Sequence, residues 1–410
     1  MTNPLYDPFA VLQKVYGGGA YLKQALNDTP IEEAHRARTA KVCYGVLEND
    51  IYLDFCIKSL APKSPKLPVR ILLKVSLYFL LFLGKARYMV TDSAVSLIRK
   101  LGKGGASGFV NAFLRNFDAE KLILPADKLS RLSVQYSFPP FAVSRLAEEY
   151  GEEAEEIMRP RPARTFVRFA GAPAQKYLDL PHEDTPFSGL YAYPNFRRDA
   201  GYDRGEYTFQ SVGSVAVCAA VEPCGELLDA CAAPGGKSVL LAGKCGRVTA
   251  FELHEHRAKL IESYASRMGA ENISVVCRDS SVHDPAYDGK FDAVLADAPC
   301  SGYGVVGENP DIKLLRREAD LSSLCKTQRA ILSACAPYVR AGGCLYYSTC
   351  SVFGEENDGT VSAFLGQHPD FAAEEIASPL GHERTRFGLQ FLPHLSMGAG
   401  FYVCKMRKKA

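Results

Sequence analysis

Residues 228–238 read Leu228-Asp229-Ala230-Cys231-Ala232-Ala233-Pro234-Gly235-Gly236-Lys237-Ser238, and they indicate a strand, a turn and a helix in succession. Residues that suit a strand lead into a glycine-rich turn, which permits close approach of a ligand, and a helix-forming sequence follows. The turn is not a P-loop, because Cys231 stands where the first P-loop glycine is needed, and it lacks the Gly-x-Gly-x-x-Gly spacing. It therefore favours an adenosine-type cofactor over a triphosphate.

Strands and helices alternate along the chain from about residue 210 onward. Strands are predicted at Glu226–Ala230, Arg247–Leu253, Ile273–Arg278, Phe291–Asp297 and Gly343–Ser348. Helices are predicted at Ser238–Lys244, Glu255–Met268, Leu321–Val339 and Asp358–Gln367. This alternation predicts an α/β fold with a parallel sheet and helices on both faces, and residues 389–404 predict a terminal hairpin.

Acidic residues stand at the ends of three successive predicted strands. Asp229 closes the first, Glu252 lies 23 residues further on at the end of the second, and Asp279 follows the third. Ligands of such sheets bind outside the carboxyl ends of the strands, and an acid about 20 residues beyond a glycine-rich turn usually holds a ribose. We therefore expect Glu252 to bind the ribose and Asp279 the adenine amino group.

Two cysteines close two further predicted strands. Cys300 ends Asp297-Ala298-Pro299-Cys300, and Cys350 ends Ser348-Thr349-Cys350. A thiolate is a soft nucleophile that becomes available near neutral pH when its pKa is lowered. One such thiol can add to carbon 6 of a pyrimidine and make carbon 5 nucleophilic, while the second assists later steps. A protonated Asp297 could hydrogen-bond the ring nitrogen of cytosine as the adduct forms.

Residues 1–125 are predicted to form an all-α domain, because apolar positions recur at helical spacing and no strand alternation is visible. The apolar run Ile71–Gly84 is too short for a membrane span, contains Lys74, and predicts a buried helix. Thr91 or Asp92 is predicted to cap the next helix. The domain holds 17 Lys and Arg against 10 Asp and Glu, which indicates either a polyanionic partner or an ordinary solvated surface.

The remaining segment, 126–205, mixes one predicted helix with short predicted strands and is expected to form a small α+β linker subdomain. The predicted organisation is therefore an all-α domain at 1–125, a linker at 126–205 and an α/β domain at 206–410. A chain of 410 residues is long enough for two or three such domains.

Cysteine and histidine usage bears on metals and on location. The 13 cysteines form no Cys-x-x-Cys pair and the eight histidines no ligand cluster, so no metal site is expected. The N-terminus has neither a basic nor an apolar signal region. Unpaired thiols without a signal peptide predict a reducing, cytoplasmic location. No membrane contact is expected, and nothing in the chain demands more than a monomer.

Four motifs occur together in this chain. They are Asp229-Ala230-Cys231-Ala232-Ala233-Pro234-Gly235-Gly236-Lys237, Asp297-Ala298-Pro299-Cys300-Ser301-Gly302, Asn309-Pro310-Asp311-Ile312-Lys313, and Tyr347-Ser348-Thr349-Cys350-Ser351-Val352 followed by Glu355-Glu356-Asn357. Together they resemble the NOL1/NOP2/Sun family of RNA 5-methylcytosine methyltransferases, in particular its bacterial Sun-type members that act on 16S ribosomal RNA. Residues 42–47 and 108–115 are similar to the NusB-like helical domain that Sun-type enzymes carry.

The resemblance implies the fold, cofactor, partner and chemistry. It implies a Rossmann-like class I methyltransferase domain behind a NusB-like RNA-binding domain, with S-adenosyl-L-methionine as cofactor and small-subunit ribosomal RNA as partner. By the resemblance, Cys350 is the nucleophile and Cys300 helps to release the product of cytosine-5 methylation. The residues implied to line the cofactor site are Cys231, Ala232, Ala233, Pro234, Gly235, Gly236, Lys237, Glu252, Asp279 and Asp297.

Two alternatives stay open at this point. Residues 303–309 lack the basic stretch that the family usually carries there and add Glu308, which motivates an RNA-binding ribosome assembly factor with weak catalysis. The enzyme could also act on transfer RNA, because only the N-terminal domain favours ribosomal RNA, and it does so by analogy.

Overall fold

The computed structural model describes residues 3–61 and 63–410, which form two compact units. The helical unit comprises the chain up to Pro160 together with Val306–Arg317, and the sheet unit comprises Arg161–Val305 and Glu318–Ala410. The division at residues 125 and 205 stays a prediction.

None of the helices in the described ranges is long and apolar enough to cross a membrane, and no group of three potential metal ligands occurs within those ranges.

The helices and strands are numbered in chain order. The helices are α1 Tyr6–Gly18, α2 Leu22–Asn27, α3 Glu33–Glu48, α4 Asp50–Leu60, α5 Leu67–Leu81, α6 Arg87–Lys100, α7 Ser107–Asn116, α8 Lys128–Tyr136, α9 Pro140–Tyr150, α10 Ala154–Met158, α11 Gln175–Leu178, α12 Ala200–Asp203, α13 Val212–Ala220, α14 Gly236–Ala242, α15 Glu255–Arg267, α16 Ile312–Leu315, α17 Glu318–Cys335 and α18 Asp358–Gln367. The strands are β1 Thr165–Phe169, β2 Glu183–Asp184, β3 Leu190–Tyr193, β4 Tyr207–Phe209, β5 Glu226–Asp229, β6 Arg247–Glu252, β7 Ile273–Cys277, β8 Phe291–Asp297, β9 Val339–Thr349, β10 Phe371–Glu374, β11 Glu383–Arg384, β12 Gly388–Phe391 and β13 Phe401–Lys408.

The core of the helical unit is organised around α5. Almost every residue of this helix between Val69 and Phe79 is buried, which suits a helix that is apolar on all sides. Lys74 is the charged exception: its side chain is buried, and its Nζ hydrogen-bonds to Asp50 and lies 2.9 Å from the carboxylate of Asp54. The prediction of a buried helix interrupted by Lys74 is confirmed, and two carboxylates satisfy the buried ammonium group.

The start of α6 departs from the sequence-based expectation. The helix begins at Arg87, so the prediction that Thr91 or Asp92 caps it is wrong. Thr91 lies inside the helix, where its hydroxyl donates a 2.8 Å hydrogen bond to the carbonyl oxygen of Arg87. A threonine can make this bond in a helix interior as well as capping a helix start. No side-chain cap marks the true start, so the local pattern misleads.

The sheet unit is built on a nine-stranded sheet in the order β11-β12-β13-β9-β8-β5-β6-β7, with β10 paired to β13. Strands β7, β6, β5, β8 and β9 are parallel to one another, as the alternation predicted. The terminal hairpin β12–β13 is antiparallel and pairs with β9. The predicted hairpin therefore extends the predicted parallel sheet, and the whole sheet is mixed.

Side chains of the central strands alternate between two apolar layers. In β8, Ala293 and Leu295 pack in the layer that contains α13, whereas Val294 and Ala296 pack in the layer that contains α17. All four are at most 3% exposed. Burial on both faces explains why the strand reads as a continuous apolar run rather than an alternating one.

A second, smaller sheet precedes the large one in the chain. It has the order β2-β3-β1-β4 and is antiparallel throughout. Its core is mainly aromatic and is formed by Val167, Phe169, Tyr177, Tyr193 and Tyr207. The predicted short strands at 165–169 and 207–209 are observed with those bounds, which confirms the α+β character of this part of the chain.

Two glycines bring backbone segments together beside the sheet's carboxyl edge. The N–H of Gly400 donates a 2.8 Å hydrogen bond to the carbonyl oxygen of Gly304, whose own N–H donates at 3.0 Å to the carbonyl oxygen of Cys350. A Cβ at Gly304 would lie 2.0 Å from the Gly400 carbonyl oxygen. Only glycine fits at this crossing, since neither backbone segment can move without breaking these bonds.

We therefore expect Gly304→Ala to lower the free energy of unfolding by about 1–3 kcal/mol, the usual cost of overpacking. Gly307→Ala is the matched control, because an added Cβ there meets no atom within 4 Å, and it should change stability by less than about 0.5 kcal/mol. Thermal unfolding followed by circular dichroism compares the two. Equal unfolding midpoints for both variants would contradict the close approach.

Candidate active site

Two thiols lie side by side at the carboxyl edge of the sheet. β8 ends at Asp297 and β9 at Thr349, and their parallel register pairs Asp297 with Ser348. The turns that follow bring the Sγ atoms of Cys300 and Cys350 to 3.0 Å, and the N–H of Cys350 donates to the Sγ of Cys300 at 3.2 Å. The structure thus brings together the two cysteines that the sequence placed at neighbouring strand ends.

The two thiols have different environments. Cys300 is 8% exposed, whereas Cys350 is partly exposed. The hydrogen bond with Cys350, together with burial, raises the pKa of Cys300 well above its usual value, and the charge of Glu356 acts in the same direction. Cys300 therefore stays a protonated thiol at neutral pH, and Cys350 is the sulfur that a ligand can reach.

Asp297 lies at the end of β8 with both carboxylate oxygens engaged. Its Oδ2 accepts a 2.6 Å hydrogen bond from the Nζ of Lys237, and its Oδ1 accepts one of 2.6 Å from the Oγ of Ser348. Asp297 thus takes part in an ion pair as a carboxylate, and its expected protonated role beside a cytosine ring stays a prediction.

Lys237 supplies positive charge beside the thiols. Burial alone would lower the pKa of Lys237, but the charge and hydrogen bond of Asp297 outweigh it and the pKa is raised. Negative charge at Cys350 acts in the same direction. Because this interaction is reciprocal, the ammonium group of Lys237 can stabilise negative charge on the more exposed sulfur.

The glycine-rich turn joins β5 to α14 at the same edge. Gly235 has a φ of +106°, a conformation that favours glycine, and α14 begins at Gly236. The N–H of Ala232 donates a 3.0 Å hydrogen bond to the carbonyl oxygen of Phe251 in β6, which fixes the start of the turn. Of the residues predicted to bind the cofactor, 231–235 therefore form the turn, and Gly236 and Lys237 begin α14.

Asp229, at the end of β5, is a buried acid with an unfilled acceptor. It is 1% exposed, and its Oδ2 accepts a 2.6 Å hydrogen bond from the Oγ of Ser238, whereas its Oδ1 has no partner in the described part of the chain. Burial raises the pKa of Asp229 to about 6. Buried polar atoms without a partner are uncommon, so this oxygen marks a place where a ligand donor can bind.

Glu252 and Asp279 lie at the two neighbouring strand ends, as predicted. Glu252 is the last residue of β6 and is 4% exposed; its Oε1 accepts a 3.1 Å hydrogen bond from the N–H of His254 and lies 3.3 Å from Arg257. Asp279 follows β7 and is exposed. Hydrogen bonds from the Oγ and N–H of Ser281, at 2.6 and 2.8 Å, lower the pKa of Asp279.

Some contacts of the site have no local signal in the sequence. The Nε2 of Gln210 donates a 3.1 Å hydrogen bond to the carbonyl oxygen of Gly236, and the Oε1 of Gln210 accepts a 2.7 Å bond from the Nε of Arg168 in β1. The small sheet thereby supports the glycine-rich turn. Ser348, which hydrogen-bonds Asp297, likewise has no sequence signal beyond its place in a motif. Contacts between residues distant in the chain leave no periodic pattern.

Comparison with known proteins gives matches over nearly the whole chain. Residues 9–119 match the NusB family, and residues 217–407 match the family described as 16S rRNA methyltransferase RsmB/F. The chain is 32% identical to the probable ribosomal RNA small subunit methyltransferase B of Bacillus subtilis (strain 168), with 95% of this chain and 94% of the relative covered. It is also 32% identical to the ribosomal RNA small subunit methyltransferase B of Sodalis glossinidius (strain morsitans), with 93% and 91% covered.

A solved structure is similar over the same extent. The crystal structure of PH0851 matches with a TM-score of 0.84 and 22% sequence identity, covering 99% of this chain and 98% of that chain. At this identity the likeness bears on the fold alone. The fold class expected from the sequence, an all-α NusB-like domain, a small α+β part and a Rossmann-like sheet domain, is confirmed.

The raised pKa of Asp229 leads to a pH dependence of stability. Its ordinary pKa is 3.8 and its folded-state pKa is about 6, so the folded protein binds more protons than the unfolded chain between these values. Stability must then fall as the pH rises through this range. The shift corresponds to a loss on the order of 3 kcal/mol, which Asp229→Asn should not show.

The measurement is urea unfolding of the wild type and Asp229→Asn at pH 4, 5, 6 and 7 without ligand, followed by circular dichroism. The stability of the wild type relative to the variant should decline between pH 4 and pH 7. A difference that stays constant across this range would show that Asp229 is not held in an unfavourable buried position.

Proposed function

This chain belongs to the RsmB/F family of 16S ribosomal RNA methyltransferases, and on that premise we propose that it methylates carbon 5 of a cytosine in 16S ribosomal RNA through a covalent cysteine adduct. The family resemblance inferred from its motifs is confirmed. The observation that carries the finer proposal is the pair of thiols 3.0 Å apart beside Asp297. Cys350 is the more exposed sulfur, and the raised pKa of Cys300 keeps that thiol protonated, so that each suits a different step.

The residues at the sheet edge fit S-adenosyl-L-methionine, which supplies an electrophilic methyl group when bound. The unpartnered Oδ1 of Asp229 offers a buried acceptor, and the positive φ of Gly235 shapes the turn that follows it. In the proposal, Glu252 holds the ribose hydroxyls and Asp279 receives the adenine amino group. Both carboxylates lie at the strand ends where that ligand would need acceptors.

Cys350 is the proposed nucleophile, because it is the more exposed sulfur and lies beside the positive charge of Lys237. Its thiolate adds to carbon 6 of the cytosine, forming an S–C6 bond and leaving carbon 5 nucleophilic. Once carbon 5 carries the methyl group, a base removes the carbon-5 proton and the S–C6 bond breaks, returning Cys350 as a thiolate. The target base must leave its stack to enter this site.

Cys300 and the Asp297–Lys237 pair have supporting roles in the proposal. The protonated thiol of Cys300 lies within hydrogen-bond distance of the Sγ of Cys350, so it can stabilise that sulfur as it leaves the ring. The ammonium group of Lys237 offsets the negative charge that develops on the ring when the adduct forms. Asp297 holds this ammonium group in place through the 2.6 Å ion pair.

The helical unit is the proposed site of additional contacts with RNA phosphates. Residues 55–117 contain 11 Lys and Arg but a single acidic residue, so the positive charge of the N-terminal domain is concentrated there. A cavity of about 580 Å³ in this region is bordered by Lys63, Lys66 and Lys103 and by the half-exposed ring of Phe109. Lysines beside an aromatic ring suit an unstacked nucleotide. The cytoplasmic, monomeric state expected from the sequence remains part of the proposal.

The first test is methyl transfer from labelled S-adenosyl-L-methionine to protein-free 16S ribosomal RNA, with the nucleosides identified by mass spectrometry. Cys350→Ala should lower 5-methylcytidine formation by roughly 1,000-fold or more while cofactor binding is retained. Cys224→Ala, which removes a partly exposed thiol before β5, is the control and should stay active. Full activity of Cys350→Ala would exclude Cys350 as the nucleophile.

The same assay distinguishes the alternatives. Label in transfer RNA alone would favour the transfer RNA alternative, and cofactor binding without any label would favour the assembly factor.

The second test concerns product release. Cys300→Ala should still transfer the methyl group, but the S–C6 bond should then break slowly, and a covalent protein–RNA adduct should accumulate. Denaturing gel electrophoresis with labelled RNA measures the adduct, and the double variant with Cys350→Ala is the control that should form none. If Cys300→Ala turns over freely and leaves no denaturant-stable adduct, Cys300 has no part in release.

The third test measures phosphate contacts through salt dependence. Removing two phosphate-binding lysines with Lys66→Gln and Lys103→Gln should reduce the slope of log affinity against log salt by about 1.4, because each contact with a single strand contributes about 0.7. Lys41→Gln with Lys121→Gln removes equal charge outside residues 55–117 and is the control. Identical slopes for the two double variants would argue against RNA binding at the cavity.

A further inference from the structure

A buried glutamate lies between the two cysteine-bearing turns and has no part in the steps above. Glu356 is 0% exposed. Its Oε1 accepts hydrogen bonds from the N–H of Ser301 at 2.8 Å and from the Nε2 of Gln328 at 3.0 Å. Its Oε2 accepts bonds from the Oγ of Ser301 at 2.5 Å and from the Oγ of Ser351 at 2.6 Å. A carboxylate has about four acceptor positions, and here four donors engage it.

These donors tie the glutamate to both thiols. Ser301 follows Cys300 directly, and Ser351 follows Cys350 directly. One side chain therefore holds the residue after each cysteine, and the hydroxyls of Ser301 and Ser351 also lie 3.2 Å apart. The two turns come from strands whose paired register ends at Asp297 and Ser348, and past those residues the carboxylate links the turns directly.

The position of Glu356 is itself fixed by the surrounding chain. The hydroxyl of Tyr347 donates a 2.6 Å hydrogen bond to the carbonyl oxygen of Glu356. The N–H of Glu356 donates a 3.1 Å bond to the carbonyl oxygen of Phe353. Gln328 of α17 also donates to the carbonyl oxygen of Pro299 at 3.0 Å, so it joins the glutamate to the residue before Cys300. Glu356 is thus anchored by β9, by α17 and by the turn before α18.

The hydrogen bonds around Glu356 differ in their chemistry from ordinary core packing. All the side chains that donate to Glu356 are neutral, so a buried negative charge is held by hydrogen bonds instead of by a cation. Burying such a charge is costly, whereas a neutral residue could fill the same space. The charge also contributes to keeping Cys300 protonated. A costly group that touches both turns is expected where their separation matters for function.

We propose that Glu356 is a positioning residue that clasps the Cys300 and Cys350 turns and sets the separation of the two thiols. The inference rests on the proposed function for its catalytic consequence, but the clasp can be tested without any RNA. Glu356→Gln keeps the shape but replaces one acceptor oxygen with an NH₂ donor, so the hydroxyls of Ser301 and Ser351 lose the acceptor that they share. The turns should move apart, and the thiols with them.

The direct readout is the rate at which diamide oxidises the two thiols to a disulfide. Each thiol loses one hydrogen, an S–S bond forms, and the diamide takes up both hydrogens and is reduced to its hydrazine. Cys224 and Cys245, whose Sγ atoms are 3.4 Å apart, form an internal reference in the same unit. After alkylation and digestion without reductant, mass spectrometry gives the rate for each pair in one sample.

In the wild type we expect both pairs to cross-link. In Glu356→Gln the ratio of the Cys300–Cys350 rate to the reference rate should fall by about five-fold or more, while Glu375→Gln, an exposed glutamate in the same unit, leaves it unchanged. Ser351→Ala removes only the link to the Cys350 turn and should lower the ratio in the same direction. This milder variant decides the matter if Glu356→Gln does not fold, as judged by thermal unfolding.

Methylation kinetics complete the test. A positioning role requires kcat to fall by about ten-fold or more in Glu356→Gln while the KM for RNA stays within about two-fold of the wild type. An unchanged cross-linking ratio in folded Glu356→Gln and Ser351→Ala overturns the clasp, whatever the activity. A lowered ratio in a protein whose wild type forms no 5-methylcytidine supports the clasp and refutes the proposed function, so the two failures are distinguishable.

Discussion

The parallel pairing of β8 with β9 is the constraint on which the site depends. Its register sets Asp297 opposite Ser348. The two strands therefore end at the same level of the sheet, and the segments after them turn in the same direction. The thiols that follow at Cys300 and Cys350 can then meet without strain in either strand. A slip of one residue would exchange the two faces of β9, moving Tyr346 and Tyr347 into each other's apolar layers, and would separate the sulfurs.

Charges of opposite sign act on the two cysteines of the thiol pair. Lys237 brings positive charge close to Cys350, and Asp297 fixes its direction. The negative charge of Glu356 contributes to keeping Cys300 protonated. The two cysteines therefore differ before any ligand binds: Cys300 is buried and keeps its proton, whereas Cys350 is the more exposed sulfur.

Local pattern predicted much of this arrangement but could not supply its cross-links. β8 and α18 have the predicted bounds, because a continuous apolar run and a helical repeat are properties of adjacent residues. The strand ends at Asp229, Glu252 and Asp297 followed in the same way. The hydrogen bonds that Ser301 and Gln328 donate to Glu356, and that Gln210 donates to Gly236, join residues far apart in the chain and leave no periodic signal. The start of α6 has no side-chain cap, so it leaves no local signal either.

The motif at residues 309–313 shows how a family mark can have a structural explanation. It lies between the Cys300 turn and α17 in sequence, yet it belongs to the helical unit. There the Oδ2 of Asp311 accepts a 2.9 Å hydrogen bond from the N–H of Leu22, and the Nζ of Lys313 donates to the carbonyl oxygens of Glu48 and Tyr136 at 2.8 and 3.3 Å. Burial lowers the pKa of Lys313 to about 8. Both side chains hydrogen-bond backbone groups of the helical unit. The motif is therefore explained by folding and need not be assigned to RNA binding.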